Sequence, residues 1–251
     1  MSLYVYCLGE GLPAAAFDGV GGVGGAAARV LSVGRLSAVV SDAGGEPVAV
    51  TEENLSAHNR VNAAALAVST PLPFRFGTLA APERLAEYAA SNEAALSAAL
   101  ARVRGHVEMS LKLMGQAEGK RQEAKVGGED GGRDEAAGPG EGAAVGRGTA
   151  FLLKKRREAL GEEDARRRAE GLAGWLAAGV AGLARESAVR VSPAEAIAVR
   201  AAHLVERGRV AEYRERVRGL AAARPDLRLL TSGPWPPYSF SDLGRVAEAR
   251  P

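Results

Sequence analysis

The residue types that carry out chemistry are few in this chain and poorly spaced for it. Its three histidines, His58, His106 and His203, stand far apart with no metal-ligand spacing around them, so no metal site is assigned. His58 falls on a predicted helix and reads as a surface or capping side chain rather than a catalyst. Gly19, Gly21 and Gly24 spell G-x-G-x-x-G, with Asp42 about where a ribose-binding carboxylate would be sought. A dinucleotide site needs those glycines directly after a strand and a full crossover helix behind them. Here they lie well past the first strand, and residues 26–31 are too short for the helix before Gly34 interrupts, so a flexible loop is the reading. No nucleophile stands beside a base, no acid and base pair around a plausible pocket, and no P-loop occurs. No catalytic residue, cofactor-binding residue or cofactor is therefore assigned, and enzyme activity is not expected. The lone Cys7 permits no internal disulfide and sits in an apolar run, which suits a buried side chain and a reducing cytoplasm.

What the chain has instead is a pair of aromatic clusters in a sequence with 5% aromatic residues. One holds Phe74 and Phe76; the other is the tail 232–240, reading Ser-Gly-Pro-Trp-Pro-Pro-Tyr-Ser-Phe. Prolines fix φ and remove backbone donors, so this tail cannot be helix interior or central strand. Its stiffness lets Trp235, Tyr238 and Phe240 lie against a surface at little entropic cost. The expectation is that this surface is the protein's own, with the tail closing over the second domain and Trp235 buried by its own chain; the alternative is a partner's surface. At 251 residues, 47% hydrophobic and 25% charged, the composition is that of a soluble globular protein with room for two modest cores. The formal charge of +2 gives no whole-molecule field for nucleic acid or an anionic lipid membrane, and neither partner is expected. The basic run at 154–157 opens a helix in which Glu162, Glu163 and Asp164 precede Arg166, Arg167 and Arg168 by four residues, a solvated charged face. The N-terminus has no basic, signal-like start, and the longest apolar run, 171–184, is too short to span a bilayer.

These residues are positioned by a readable series of elements. Residues 3–8 form a first strand, and 29–33 and 36–41 a hairpin around Gly34-Arg35. Thr51 caps a helix with Glu52 and Glu53 in its first turn, ended by Ser69-Thr70-Pro71. Residues 71–78, Pro-Leu-Pro-Phe-Arg-Phe-Gly-Thr, run extended, with Leu72, Phe74 and Phe76 on one side and Arg75 on the other. Pro82 starts a single helix whose stripe is Leu85, Ala89, Leu96, Leu100 and Val103. Residues 106–114 alternate as a half-buried strand with Glu108, Ser110 and Lys112 on the polar side. Residues 115–148 are glycine- and charge-rich and read as a mobile insert. Beyond it come a long helix, which Gly161, Gly171 and Gly174 can divide, strands at 187–191 and 197–205 around a Ser192-Pro193 turn, a helix at 208–223 and a strand at 227–231. Strand, helix, strand, strand, helix, strand is the ferredoxin-like order. The fold class is thus α+β in two domains, a small N-terminal one over 1–104 and a ferredoxin-like C-terminal one with long helices over 105–251.

Residues 71–78 and 233–240 together resemble the gas vesicle protein F/L family (GvpL/GvpF). Supporting pieces follow in order: Tyr4-Val5-Tyr6, residues 36–41, Ala57-His58, Val107-Glu108, residues 151–155 and 202–205. Phe151, where the family often has tyrosine, and His203 are small departures. The resemblance implies an assembly factor or minor structural component of gas vesicles, cytoplasmic and vesicle-associated, whose partners are the hydrophobic main shell protein and other gas vesicle accessory proteins. The motif residues offered for interaction are Pro71, Phe74, Arg75, Phe76, Gly77, Gly233, Pro234, Trp235, Pro236, Pro237, Tyr238 and Phe240. The competing reading is a ferredoxin-like regulatory module that binds a small ligand or nucleotide, resting on the glycine loop and the element order.

Overall fold

The computed structural model describes residues 2–115, 147–192 and 197–241, and within 147–160 the helical backbone. The first strand, β1 (Ser2–Gly9), is buried almost end to end and lies at the centre of the first antiparallel sheet. The predicted hairpin forms from β2 (Arg29–Val33) and β3 (Leu36–Ala43), and β3 pairs with β1. On the other side of β1 lie two short strands, β4 (Leu72–Pro73) and β5 (Leu79–Ala80). Side-chain alternation sends Leu3 and Val5 into one core and Tyr4 and Tyr6 into another. The tyrosine face is covered by α1 (Glu52–Val68), whose cap Thr51 accepts from the Asn54 amide at 3.2 Å. The opposite face is covered by α2 (Pro82–Ser91) and α3 (Glu93–Val103). The single helix expected here is broken at Asn92 (φ −116°, ψ 15°), whose side-chain amide donates to the Tyr88 carbonyl at 2.8 Å. That local bond offers the backbone an alternative to continuing the helix. The expected stripe is buried all the same.

The second half starts with β6 (His106–Gly115), and residues 116–146, the body of the expected mobile insert, lie outside the described residues. The helix that follows, α4 (Arg147–Gly179), is continuous through Gly161, Gly171 and Gly174, and on it Arg167 pairs with Asp164 at 2.6 Å rather than with Glu163. Then come β7 (Ala184–Val191), β8 (Val199–Glu206), α5 (Val210–Ala223) and β9 (Leu227–Trp235). The element order is the one expected, and the sheet runs β7-β8-β6-β9 with every neighbouring pair antiparallel. Of the Ser192-Pro193 turn, Pro193 lies outside the described residues. Val107, Met109, Leu111 and Leu113 meet Leu176, Val180, Tyr213 and Val217 under α4 and α5.

The other face of this sheet departs from the simple polar side of the sequence reading, because Glu108 is only 5% exposed. In register with Glu108 and Ser110 stand Leu204 and Ala202, which join the first sheet's core. The first half therefore lids one end of the face, and alternation alone cannot show what a face will meet. Arg207 ties the halves further by donating to the Leu66 and Ser69 carbonyls, at 2.7 and 2.9 Å, where α1 ends.

Candidate functional site

Residues 71–78 and 233–240, remote in sequence, meet along the seam between the two sheets. Pro71 and Phe74 are buried; the Phe74 amide donates to the Tyr6 carbonyl at 2.8 Å, and its ring lies 6.3 Å from that of Tyr88. Phe76, expected on the same side, goes to the tyrosine face instead, edge-on to Tyr4 at 6.1 Å and to His58 at 5.7 Å. The chain turns between β4 and β5 rather than running extended. Thr78 closes that turn by donating its amide and hydroxyl to the Arg75 carbonyl, at 3.2 and 2.7 Å. Gly77 takes φ +83°, a conformation that suits glycine, and donates its N–H to the Tyr4 hydroxyl at 3.0 Å. Arg75 is exposed.

His58 occupies the centre of this seam at 3% exposure, which corrects the surface or capping role expected of it. Its Nδ1 is 2.9 Å from the Tyr4 hydroxyl, and its Nε2 is 3.0 Å from the Tyr238 hydroxyl and 3.1 Å from Asn62 Nδ2. Burial pulls the imidazole down to about 4, so the ring is neutral near pH 7 and bridges the two tyrosines. Burial likewise pushes both tyrosine hydroxyls well up, keeping them protonated. Hydropathy concealed this site, since the buried face of α1 mixes His58 and Asn62 with Ala57, Val61, Ala65 and Leu66, whereas Leu55 and Val68 are exposed. A usable signal was present in Tyr4 and Tyr6 on the apolar first strand, because buried hydroxyls need partners.

Near the end of β9 the chain passes through Gly233, which is joined to Pro234 by a cis bond and takes φ +114°. A Cβ at Gly233 would stand 2.8 Å from the Glu108 carbonyl oxygen, so this approach requires glycine. Trp235, expected to be buried by its own chain, is 38% exposed on the edge strand β9, with its Nε1 donating to Ser232 Oγ at 3.3 Å. Pro234 beside it is also exposed. Pro236 and Pro237 are buried and carry the tail away from the sheet toward the first half. There the Ser239 amide and hydroxyl donate to the Glu108 carboxylate at 2.7 and 3.0 Å. Burial raises the Glu108 carboxyl, and these two bonds offset only part of that rise. Phe240 is buried in the first sheet's core, and Ser241 Oγ donates to the Pro73 carbonyl at 3.4 Å. The tail thus closes the seam between the sheets and does not simply cover the second one.

This geometry divides the motif residues by role. Pro71, Phe74, Pro236, Pro237 and Phe240 are buried, Phe76, Gly233 and Tyr238 are half-buried, and Arg75, Gly77, Pro234 and Trp235 face outward. The glycine loop is not the flexible segment expected. Val23 is buried, its amide donates to the Tyr6 hydroxyl at 2.8 Å, and the Gly24 amide donates to Asn54 Oδ1 at 3.2 Å. A Cβ at Gly22 would fall 2.1 Å from that same tyrosine hydroxyl, so the glycine serves packing and the neighbouring amides are turned to the protein itself. Cys7 is buried with its thiol pushed up. Among the described residues no group of three His, Cys, Asp or Glu side chains could hold a metal ion. Among them, too, no helix is long and apolar enough to cross a membrane.

Comparison with known proteins places this architecture. Residues 2–242 match the family described as Gas vesicle synthesis protein GvpL/GvpF. Gas vesicle protein L of Streptomyces sp. (strain CB03234) is 27% identical over 263 aligned positions, covering 96% of this chain and 92% of that protein. Two crystal structures share the fold. Gas vesicle protein GvpF from Anabaena sp. PCC7120 superposes with a TM-score of 0.70 at 17% identity, covering 99% of each chain. GvpF from Microcystis aeruginosa gives 0.72 at 18% identity, covering 96% of this chain and 99% of that one.

Proposed function

Because the chain belongs to the Gas vesicle synthesis protein GvpL/GvpF family, its role is in gas vesicle formation, and we propose that it acts there as an assembly factor or minor structural protein that binds the apolar main shell protein. The observation that carries the finer reading is the outward-facing Trp235 on a proline-stiffened edge, with Leu230 of the same strand 42% exposed. A large ring that the fold leaves partly in water, on a segment with little freedom to lose, suits an apolar partner. Aromatic anchors of this kind commonly dominate interface energies. In this reading the protein is cytoplasmic and sits with other gas vesicle proteins at the growing shell, with neither nucleic acid nor lipid as partner. It performs no catalysis. Its buried titratable groups support that, since His58 is held between two tyrosines and Glu108 by Ser239, each tied into the packing of the seam.

Trp235→Ala separates recognition from packing. The expected result is a thermal midpoint close to that of the parent, since exposed substitutions usually stay within about 0.5 kcal/mol. Retention of the main shell protein in a pull-down, and the protein's own retention on washed vesicles, should both fall. A variant that loses stability yet keeps the shell protein would reassign Trp235 to the fold and remove the proposed surface.

A further inference from the structure

On the face of the second sheet turned away from α4 and α5, strand register lines up like charges. Arg190 of β7 stands directly opposite Arg200 of β8, which stands directly opposite Lys112 of β6, and Lys112 faces Leu230 of β9. The row to one side places Arg228 opposite Met114; the row to the other is Ala188, Ala202, Ser110 and Ser232. Residues paired across a sheet point to the same side, with strands about 4.8 Å apart, so the cations are close neighbours. Arg200, in the middle, is half-buried and has a partner. Arg190, Lys112 and Arg228 are exposed. The described carboxylates on this face stand at its far end, where Glu186 is taken by Arg102 at 3.1 Å, Glu108 by Ser239, and the exposed Glu206 stands opposite His106 at the end of β8. Like charges directly opposite one another on a sheet repel, and the exposed Arg190 and Lys112 each stand opposite Arg200.

We propose that this basic row is a docking surface for an acidic segment of a partner protein, separate from the apolar contact assigned to Trp235. Charge complementarity identifies the occupant. Carboxylates laid across the row would make charge-assisted hydrogen bonds with the exposed Arg190 and Lys112, with the Ser110 hydroxyl as a further donor. Nucleic acid fits worse, because these rows hold no aromatic ring on which a base could stack. A bilayer fits worse too, because Leu230 offers little apolar area to insert.

The test uses the full chain and a labelled oligo-glutamate peptide, with binding followed by fluorescence anisotropy at low salt. The parent should bind, and binding should weaken as salt is added. Arg190→Glu and Lys112→Glu should each weaken it about tenfold or more, since reversing one charge of a complementary pair is repulsive. Arg190→Gln should weaken binding while leaving the thermal midpoint close to that of the parent, because the side chain is exposed. Trp235→Ala should leave peptide binding unchanged, which keeps this test distinct from that of the shell-protein contact. Equal binding by the parent and Arg190→Glu would overturn the proposal. So would tighter binding of an oligothymidylate or of phosphatidylserine vesicles through the same residues, or peptide binding that emerges only when residues 120–146 are removed and the chain's own acids no longer compete.

Discussion

Two imidazoles, His58 and His203, are buried to within a few per cent, and burial pulls both down to about 4. An unfolded histidine titrates near 6.5, so as pH falls the unfolded chain takes up these protons first. The stability each neutral ring contributes is fully present above about pH 6.5 and is lost as pH drops toward about 4, with a ceiling on the order of 3 kcal/mol per ring. Glu108 works in the opposite sense. Its raised carboxyl favours the fold below the unfolded pKa, and that contribution disappears as pH rises through the folded one. With two histidines against one carboxyl, the urea midpoint should decline on acidification through this window, and His58→Gln should flatten the slope. An unchanged slope in that variant would show that His58 is accessible to protons in the folded protein. The phenylalanines divide at the same scale. Phe74→Ala should cost about 3–5 kcal/mol because the ring is buried, and Phe76→Ala should cost less because it is half-buried, as equilibrium unfolding would show.

Among the elements, the tail and β6 depend on each other through one carboxylate. Glu108→Ala would leave the Ser239 amide and hydroxyl without their acceptor, a loss of about 1–3 kcal/mol, and limited proteolysis should then cut the tail faster. Glu108→Gln keeps an acceptor oxygen and should be protected by comparison; equal cutting of both variants would mean that the seam holds without this bond. The same elements mark the limit of what was legible in the sequence. β1, the hairpin, the Thr51 cap and the order of elements in the second half were legible, because period, turn glycines and caps act over a few residues. The helix break at Asn92 was hidden by a stripe that stays apolar on both sides of it. The burial of Glu108 and His58 was hidden because each sits at a position of ordinary polar character, and only a distant element, the first sheet's core or Tyr238, determines that it is enclosed. Trp235 failed in the other direction. Its size suggested burial, but its place at the end of an edge strand left it with a pairing partner on one side only.

For the whole molecule, the seam sets whether the two sheets unfold together. Phe240, from the far end of the chain, packs in one cluster with Leu3, Leu72 and Phe74 of the first half and Leu204 of the second. Arg207 and the bond between His58 and Tyr238 join the halves on the polar side. Contacts so placed should make unfolding a single cooperative transition, in which probes of different regions agree. The tryptophans allow this to be checked, because Trp175 and Trp235 both belong to the second half, whereas circular dichroism reports helices of both. In the parent protein the fluorescence and circular dichroism midpoints should coincide. Phe240→Ala should lower stability by about 3–5 kcal/mol, as loss of a buried ring does. Because the lost contacts cross the seam, it should also draw the two midpoints apart, with the first half melting earlier once its core is opened. If both midpoints fall together by that amount, Phe240 is an ordinary core residue and the polar ties are what couple the sheets. Combining Phe240→Ala with Arg207→Ala would then be the variant that separates them.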